Sequence, residues 1–335
     1  MLLSNRFRTN KKPHLKLTKQ QKEYLSNFLN ILEKNKDNIF EKLNCLICDH
    51  HDFEIISEKD RYGLDYPTGI CSRCGNMQQT QYYSDEILSL FYSKYYNKIY
   101  FNFHDTEARF ESQRKLAFDK YSFIKELNYE LSDNNKNLDI LEIGCGPGGI
   151  LSFFSEKGFN VTGIDLDDTH LKFGREKNLN LFNRTQFRLE KKYDLILVSH
   201  VLEHLKNPKE ELNFIKKLCH KNTIIYIEVP SISMIGNMYD SDVLKYLHIA
   251  HCYHFSLSSF KNFCNKFGLK ILKINSKIQA ICSFEEKKYI SNYNFSETKK
   301  ELEKFENDYL KYGKILILKR IIRRFFGKIL NYFGG

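Results

Sequence analysis

Four of the nine cysteines in this sequence of 335 residues form two closely spaced pairs. Cys45 and Cys48 make the first pair, and Cys71 and Cys74 make the second. Two residues between partners let both thiolates reach one ion, and four thiolates suit the tetrahedral preference of zinc. A redox-active dithiol is the alternative, but two pairs in tandem favour a metal. Since four protein ligands leave no open position, the sequence predicts a structural zinc ion.

A glycine-rich loop follows an apolar run at residues 138–143. The loop contains glycines at alternate positions: Gly144, Gly146 and Gly148. Glycine permits positive φ and lets a ligand approach the backbone closely. Asp165 ends the next apolar run, where a carboxylate reaches ribose hydroxyls in nucleotide-binding sheets. Pro147 removes an amide that a pyrophosphate would use, and the acidic Glu142 precedes the loop. The pattern therefore favours a ligand with a ribose but no phosphate over a dinucleotide.

Histidines form two groups in the second half of the chain. His200 and His204 follow the apolar run at 193–198, where the carboxyl ends of parallel strands bind ligands. The second group lies in a loop before the last predicted helix of the core: His248, His251 and His254. Imidazole titrates near neutral pH, so these side chains are candidates for proton transfer. For each histidine, a surface or helix-capping role is the alternative, and no carboxylate spacing supports a metal site made by them.

The elements that must position these residues alternate between strands and helices, which predicts an α/β, doubly wound sheet. Strands are expected at 138–143, 160–165, 193–198 and 223–229, and helices at 15–43, 85–101, 105–131, 149–157, 167–177, 207–220 and 256–267. A hairpin that turns at Asn275 makes the last strand antiparallel. The chain divides into N-terminal helices (1–43), a zinc-binding module (44–104), the α/β core (105–288) and a helical tail (289–335).

The net charge of +11 is concentrated at the C-terminus, because residues 311–335 contain seven basic residues and no acidic one. The rest of the chain is close to neutral and the segment between the cysteine pairs is acidic, so nucleic acid is not an expected partner. No run approaches the ~20 apolar residues of a membrane-spanning helix. The N-terminus lacks a secretion signal, which predicts a cytoplasmic protein.

The tail has a second feature, since apolar and basic residues alternate at helical spacing between Leu318 and Phe333. A helix with one apolar and one cationic face suits the surface of an anionic membrane. The sequence therefore predicts peripheral contact of 311–335 with the inner face of the cytoplasmic membrane. Docking of this helix on the protein itself is the alternative.

Three segments in order resemble class I S-adenosylmethionine-dependent methyltransferases: LEIGCGPGG from Leu141, GID ending at Asp165, and YDLILVSHVLEHLKNP from Tyr193. The resemblance implies a Rossmann-like sheet with S-adenosylmethionine over the glycine loop. It implies that Asp165 holds the ribose hydroxyls and that Glu142 orients the loop and the amino group of the cofactor. The cofactor-binding residues that it implies are Glu142, Gly144, Cys145, Gly146, Gly148, Asp165, Ser199 and His200.

The N-terminal segments CLIC, DRYG and CSRCGNMQQTQYYSDEILSLFYSKYY resemble the zinc-binding part of sugar methyltransferases, most nearly the deoxysugar C-methyltransferases that act on nucleotide sugars. This resemblance implies catalytic roles for His251, as the first candidate base, and for His204. Ala250 stands where those enzymes have an acidic residue, and His248 stands where they have a tyrosine. A basic helical tail also replaces their C-terminal α/β domain. These departures weaken the case for C-methylation of a nucleotide sugar more than the case for a glycan acceptor.

We therefore expect methyl transfer from S-adenosylmethionine to a sugar-nucleotide or glycan precursor, in bacterial surface polysaccharide biosynthesis. O-methylation of a quinone or another small aromatic is an alternative, since HVLEHL also occurs in such enzymes. A zinc-ribbon protein that binds RNA or acts as a scaffold is an alternative of a different class.

Overall fold

The computed structural model describes residues 2–35, 40–100, 106–127, 137–285 and 295–333. The chain divides into two compact units. The first, which we call the N-terminal unit, comprises residues 1–99, 231–259 and 292–335, and the second, the sheet unit, comprises 100–230 and 260–291.

The described part of the chain contains thirteen strands. They are β1 (Phe40–Lys42), β2 (Phe53–Lys59), β3 (Asp65–Cys71), β4 (Met77–Gln79), β5 (Gln81–Tyr83), β6 (Asp139–Ile143), β7 (Asn160–Asp165), β8 (Leu181–Asn183), β9 (Tyr193–Ser199), β10 (Cys219–Glu228), β11 (Tyr253–His254), β12 (Leu269–Ile274) and β13 (Gln279–Phe284). The α-helices are α1 (Lys19–Lys34), α2 (Asp85–Leu90), α3 (Tyr96–Tyr100), α4 (Thr106–Lys125), α5 (Gly149–Glu156), α6 (Asp168–Glu176), α7 (Pro208–Lys217), α8 (Ile235–Met238), α9 (Val243–Tyr246), α10 (Leu257–Lys266) and α11 (Phe295–Phe333).

The sheet unit is built on seven strands in the order β12-β13-β10-β9-β6-β7-β8. The five strands from β10 to β8 are parallel, and β13 is antiparallel to both of its neighbours, β10 and β12. The predicted doubly wound sheet with an antiparallel last strand is thus confirmed. Strand order reverses between β6 and β9, so their carboxyl ends open a crevice of the kind that binds ligands in such sheets.

Apolar side chains of α4, α5 and the central strands form the core of the sheet unit. Ala117 and Ile124 of α4 and Leu151 of α5 are fully buried in it. The two helices approach closely at Gly149, where an added Cβ would lie 2.1 Å from the carbonyl oxygen of Phe110. Side chains other than hydrogen do not fit at this position, so the start of α5, directly after the glycine loop, is held against α4.

The N-terminal unit contains a four-stranded antiparallel sheet in the order β11-β4-β3-β2. Helix α1 starts at a capping box, in which Thr18 and Gln21 bond each other's backbone N–H groups. Arg6 pairs with Asp242 and with the buried Glu306 of α11. These ion pairs tie the N-terminal segment, the 231–259 segment and α11 into one unit.

The structure differs from the sequence prediction in the N-terminal unit and at the edge of the seven-stranded sheet. The sequence analysis predicts no strand for the four-stranded sheet β11-β4-β3-β2. Residues 40–42 form strand β1, which pairs with β5, whereas a helix was predicted over 15–43. Edge strand β8 was not predicted, because three residues are too few to show a periodic pattern. The helix predicted over 85–101 is interrupted by a π-helical turn at Phe91–Tyr95.

Helix α11 carries the basic tail, but the side chains from Leu318 to Phe333 lie outside the described part of the structure. Their predicted contact with an anionic membrane therefore stays a prediction. None of the helices in the described ranges has both the length and the apolar character to span a membrane.

Candidate functional site

The glycine loop turns at the carboxyl end of β6, in the crevice where strand order reverses. The N–H groups of Gly144 and Cys145 both donate to the carbonyl oxygen of Ile164 at 2.8 and 3.1 Å, which binds the loop to β7. Gly146 has a φ of +54°, and an added Cβ would lie 3.2 Å from Nε2 of Gln113. A Cβ here would crowd Gln113, so glycine keeps the backbone of the loop bare at this turn, which we call the Gly146 cradle.

Asp165, at the end of β7, binds the glycine loop directly. Its Oδ2 accepts a hydrogen bond from the N–H of Gly146 at 2.8 Å. Its Oδ1 accepts from the N–H groups of Leu166 and Asp167 at 2.7 and 2.9 Å. The two carboxylate oxygens have about four acceptor sites in total, and three are used by these N–H groups, so this side chain can still accept one bond from a ribose hydroxyl.

Helix α4 supplies two side chains to the glycine loop that the sequence analysis missed. Gln113 donates to the carbonyl oxygen of Cys145 at 3.2 Å and accepts from the N–H of Gly149 at 3.1 Å. The guanidinium of Arg109 lies 3.5 Å from the position that a Cβ on Gly146 would occupy. Arg109, Gln113 and Lys120 recur at spacings of four and seven residues, which was the available sign of one polar helix face.

Glu142 is buried under the loop, with 1% of its surface exposed. Its Oε2 has no hydrogen-bond partner among the residues that the structure describes. Burial raises the pKa of Glu142 well above its usual range, an effect opposed by the charge of Lys120 and increased by Asp165. A buried carboxyl oxygen without a protein partner is costly unless a ligand binds it, so this atom fits a donor group of a bound molecule.

A buried ion pair lies at the carboxyl ends of β9 and β10. Lys120, 4% exposed, pairs with Glu228, whose Oε2 also accepts from Ser199 at 3.2 Å and from Tyr226 at 3.0 Å. Burial alone would raise the pKa of Glu228, but the charges of Lys120 and His200 outweigh it and lower that pKa. Glu228 is therefore ionised at neutral pH.

His200 follows β9 directly and has an unusual backbone, with a φ of +57°. Strain of this kind in a residue other than glycine concentrates at functional sites. Its side chain is 53% exposed, with Nδ1 3.2 Å from Oε1 of Glu203 and Nε2 3.9 Å from Oε1 of Glu228. Burial would lower the pKa of His200, but the hydrogen bond with Glu203 and the charges of Glu203 and Glu228 raise it. The arrangement is that of an imidazole made more basic by a carboxylate.

Two other predicted residues of the sheet unit lie nearby. His204 ends the short 3₁₀ helix Leu202–His204, with Nε2 3.9 Å from Oε1 of Glu203. The thiol of Cys145 is buried, 2.7 Å from where a Cβ on Gly163 would lie. Its side chain therefore belongs to the core, and its backbone belongs to the loop.

The four paired cysteines come together in the N-terminal unit, where we call them the cysteine cluster. Their sulphur atoms all lie within 4.8 Å of one another. Cys45 and Cys74 are separated by 3.3 Å between Sγ atoms, and Cys48 and Cys71 by 3.5 Å. A zinc ion with bonds of about 2.3 Å to four thiolates needs separations of about 3.8 Å, which this cluster fits with small shifts.

Residues 247–254 of the N-terminal unit, which we call the histidine loop, carry the second histidine group. His248 and His251 are 6% and 7% exposed, with ring centroids 3.6 Å apart. His254 is fully buried, and its Nε2 lies 2.8 Å from the hydroxyl of Tyr66. Burial lowers the pKa of His254 to about 3, so this ring stays neutral. His251 and His204 belong to different units, and their joint role stays a prediction.

Comparison with known families bears on the segment that contains the glycine loop and the histidine loop. A family model described as a methyltransferase domain matches residues 110–274. The ubiquinone biosynthesis O-methyltransferase of Rickettsia bellii (strain OSU 85-389) is 30% identical over 139 residues, which cover 39% of this chain and 58% of that protein. The enzyme of the same name from Nitrosospira multiformis is 37% identical over 80 residues, 21% of this chain and 34% of that protein. The matches thus span less than two thirds of these curated relatives.

Among solved structures, the chain is similar to the plantazolicin methyltransferase BpumL in complex with SAH. The identity is 20% and the TM-score 0.43, with 67% of this chain and 89% of that chain covered. It is also similar to the magnesium protoporphyrin IX methyltransferase ChlM from Synechocystis PCC 6803 with bound SAH. There the identity is 14% and the TM-score 0.42, with 58% and 97% of the two chains covered.

The segment that the family model matches contains the glycine loop, Asp165 and the residues after β9. It also contains the parallel strands whose order reverses at that loop. The cysteine cluster precedes it. Residues 110–274, which are just under half of the chain, match a methyltransferase domain, and their parallel strands form the Rossmann-like sheet of such a domain.

Proposed function

We propose that this protein transfers the methyl group of S-adenosylmethionine to a hydroxyl oxygen of a sugar or glycan precursor, with His200 accepting the hydroxyl proton. The observation that carries the proposal is the half-exposed imidazole of His200, paired with the buried Glu203 at the ligand-binding edge of the sheet.

The cofactor is assigned to the residues around the glycine loop. Asp165 accepts a hydrogen bond from a ribose hydroxyl, and Oε2 of Glu142 accepts one from the amino group. Arg109, whose guanidinium lies beside the Gly146 cradle, pairs with the carboxylate of the methionine part. The backbone of Gly144 and Gly148 surrounds the same molecule, and Ser199 and His200 border it at the end of β9.

The protein has two tasks in the reaction: it orients the acceptor and the cofactor, and it removes one proton from the acceptor hydroxyl. When bound, S-adenosylmethionine supplies a methyl group on a positively charged sulphur, which is a good leaving group. The acceptor oxygen forms a bond to the methyl carbon, the carbon–sulphur bond breaks, and its electron pair goes to sulphur. The hydroxyl proton goes to Nε2 of His200, because Nδ1 is engaged with Glu203.

The pH dependence of the rate tests His200 as the base. Only the neutral imidazole accepts a proton, so the rate rises as the pH rises through the pKa of His200, which lies above the usual histidine value. Glu203→Gln removes the charge that raises this pKa, so the rise in rate should move to lower pH with a lower plateau. If the pH–rate profiles of the unsubstituted protein and Glu203→Gln superimpose, the pairing of His200 with Glu203 is contradicted.

A phenolic hydroxyl of a quinone precursor is the second candidate acceptor. The curated relatives support it, since both carry names of ubiquinone O-methyltransferases. The sugar acceptor is supported by the cysteine cluster that precedes the domain, as in the sugar methyltransferases that the sequence resembles. A phenol loses its proton more readily than a sugar hydroxyl, with a pKa near 10 for tyrosine. Methyl transfer to a phenolic acceptor therefore depends less on a base.

Transfer of labelled methyl groups from S-adenosylmethionine separates these acceptors. Nucleotide sugars, lipid-linked glycans and polyprenylated catechols are offered in parallel, with RNA as a further arm. The proposal predicts label in a sugar product and a loss of about 10²–10⁴ in rate for His200→Ala. Label in catechols alone would move the function to the second candidate.

The matched control is His220→Ala. His220 also pairs with a carboxylate, Asp194, at 2.9 Å. This pair lies at the amino ends of β9 and β10, about 20 Å along the strands from His200. His220→Ala should leave the rate of methyl transfer within about twofold of that of the unsubstituted protein. This result would show that the slow transfer by His200→Ala does not come from losing just any histidine–carboxylate pair.

A further inference from the structure

Strand β4 lies between the cysteine cluster and the histidine loop in the hydrogen-bond network of the N-terminal unit. It follows the second cysteine pair after two residues, Gly75 and Asn76. In the sheet, β4 pairs with β3 on one side and with β11 on the other, where Tyr253 lies opposite Gln78 and His254 opposite Met77. One short strand is therefore shared by both features.

Gln78 binds both cysteine turns with a single side chain, which is fully buried. Its Oε1 accepts from the N–H of Leu46, inside the first pair, and from Nδ2 of Asn76, just after the second pair, both at 2.9 Å. Its Nε2 donates to the carbonyl oxygen of Asn44 at 3.1 Å. The position of Gln78 thus depends on the separation of the two cysteine turns.

Gln79 binds the histidine loop. Its Nε2 donates to the carbonyl oxygens of Ile249 and His251, both at 3.0 Å, and its backbone N–H donates to Cys252 at 3.0 Å. The side chain is 2% exposed. Successive residues of a strand point to opposite faces, so Gln78 reaches the cysteine turns while Gln79 reaches the loop.

The histidine loop receives further bonds from residues that precede it by more than 150 positions. Oδ2 of Asp60 accepts from the N–H of Ile249 at 3.1 Å, and the hydroxyl of Tyr92 donates to Ala250 at 3.3 Å. Tyr66 donates to the carbonyl oxygen of His251. Since these bonds come from other elements, the conformation of the loop depends on where those elements lie.

We infer that a zinc ion bound by the cysteine cluster controls the order of the histidine loop through Gln78 and Gln79. With the metal bound, the two cysteine turns are fixed and Gln78 holds β4 in register with them. With the metal removed, the four thiols no longer hold the turns together, Gln78 loses its fixed partners, and Gln79 releases the carbonyl oxygens of the loop. This inference goes beyond the methyl transfer and does not depend on which acceptor is used.

Hydrogen–deuterium exchange of the full chain tests the coupling without an activity assay. Zinc-loaded protein is compared with protein stripped by a chelator and with stripped protein given zinc again. Amides of residues 247–254 should exchange at least about tenfold faster after stripping, the effect of losing about one hydrogen bond. Strands β6 and β9 of the sheet unit should be unchanged, and zinc should restore the protection.

A substitution separates the coupling from general unfolding. Gln79→Glu keeps the size of the side chain but replaces the donor Nε2 with an acceptor oxygen. In zinc-loaded protein it should speed exchange of the histidine loop about tenfold or more while zinc content stays the same. Gln81→Glu, in the next strand and half-buried, is the matched control and should have no effect on the loop.

Three results would overturn the inference: a cysteine cluster that takes up no zinc, equal exchange of the loop in loaded and stripped protein, or a Gln79→Glu variant with unchanged exchange. Unfolding of the whole N-terminal unit on stripping would overturn it as well, because zinc would then stabilise the unit in general and not the histidine loop through Gln78 and Gln79.

Discussion

Asp165→Asn is the substitution that most sharply tests the cofactor site. The carboxylate accepts three backbone N–H groups, one of them from Gly146 in the glycine loop. An amide of the same shape keeps one acceptor oxygen but turns an NH₂ group towards a backbone donor or towards a ribose hydroxyl. A hydrogen bond to a charged group is worth about 1.5–3 kcal/mol. S-Adenosylmethionine should therefore bind about ten- to a hundredfold more weakly.

Isothermal titration calorimetry on the folded variant measures this loss. Asp167→Ala is the matched control, because the Asp167 carboxylate caps α6 by accepting from the N–H groups of Thr169 and His170. Losing that cap should cost about 1 kcal/mol of stability with little change in cofactor affinity. Wild-type affinity in Asp165→Asn, or an equal loss in both variants, would refute the assignment of the ribose to Asp165.

Four further predictions concern other parts of the chain. Purified protein should contain one zinc ion per chain and Cys71→Ser should lose it; protein from zinc-replete medium that contains no zinc would end the metal assignment. His251→Ala and His204→Ala test the bases that the sequence first suggested. With His200 as the base, both variants should keep a near-normal rate of methyl transfer, and a loss of about 10²–10⁴ in either one, with cofactor affinity unchanged, would move the base to that residue. Burial raises the pKa of Asp60 to about 7, so the folded state binds more protons than the unfolded state between pH 4 and 7. The free energy of unfolding, measured by denaturant titration, should therefore fall by up to ~4 kcal/mol as the pH rises through that range. Asp60→Asn should make the free energy of unfolding depend less on pH. Finally, the full chain should sediment with anionic liposomes at low salt more than a chain truncated after Tyr312, and equal sedimentation would exclude the tail as a membrane contact.

Much of the sheet unit could be predicted from sequence because its signals are local. Strand β7 has the predicted bounds, Asn160–Asp165, and its terminal carboxylate binds the glycine loop as expected from its position. The hairpin turn at Asn275 also follows from local chemistry, since its Oδ1 accepts from the N–H groups of Lys277 and Gln279. Apolar periodicity and turn residues are sufficient where a segment's structure depends on its own composition.

The side chains that complete the site were harder to predict, because their roles depend on distant partners. In the sequence, Lys120 has no feature that distinguishes it from other helical lysines. Its partner Glu228 lies 108 positions away, and only the fold brings the two side chains together. No sequence pattern distinguishes Gln78 and Gln79 from other polar residues. Only the fold shows that Gln78 binds the cysteine turns and that Gln79 binds the histidine loop. Phe40–Lys42 resembled the end of a helix, and its pairing with β5 depends on a strand 40 residues later.

The measurement that tests the central claim most directly is the position of the methyl group in the product. Trideuteromethyl S-adenosylmethionine is incubated with the protein and the acceptor panel, and the product is analysed by NMR and mass spectrometry. We expect one trideuteromethyl group on a hydroxyl oxygen of a sugar, formed by the wild type and greatly reduced in His200→Ala. Transfer to nitrogen or carbon, or cofactor binding with no transfer to any hydroxyl, would contradict it.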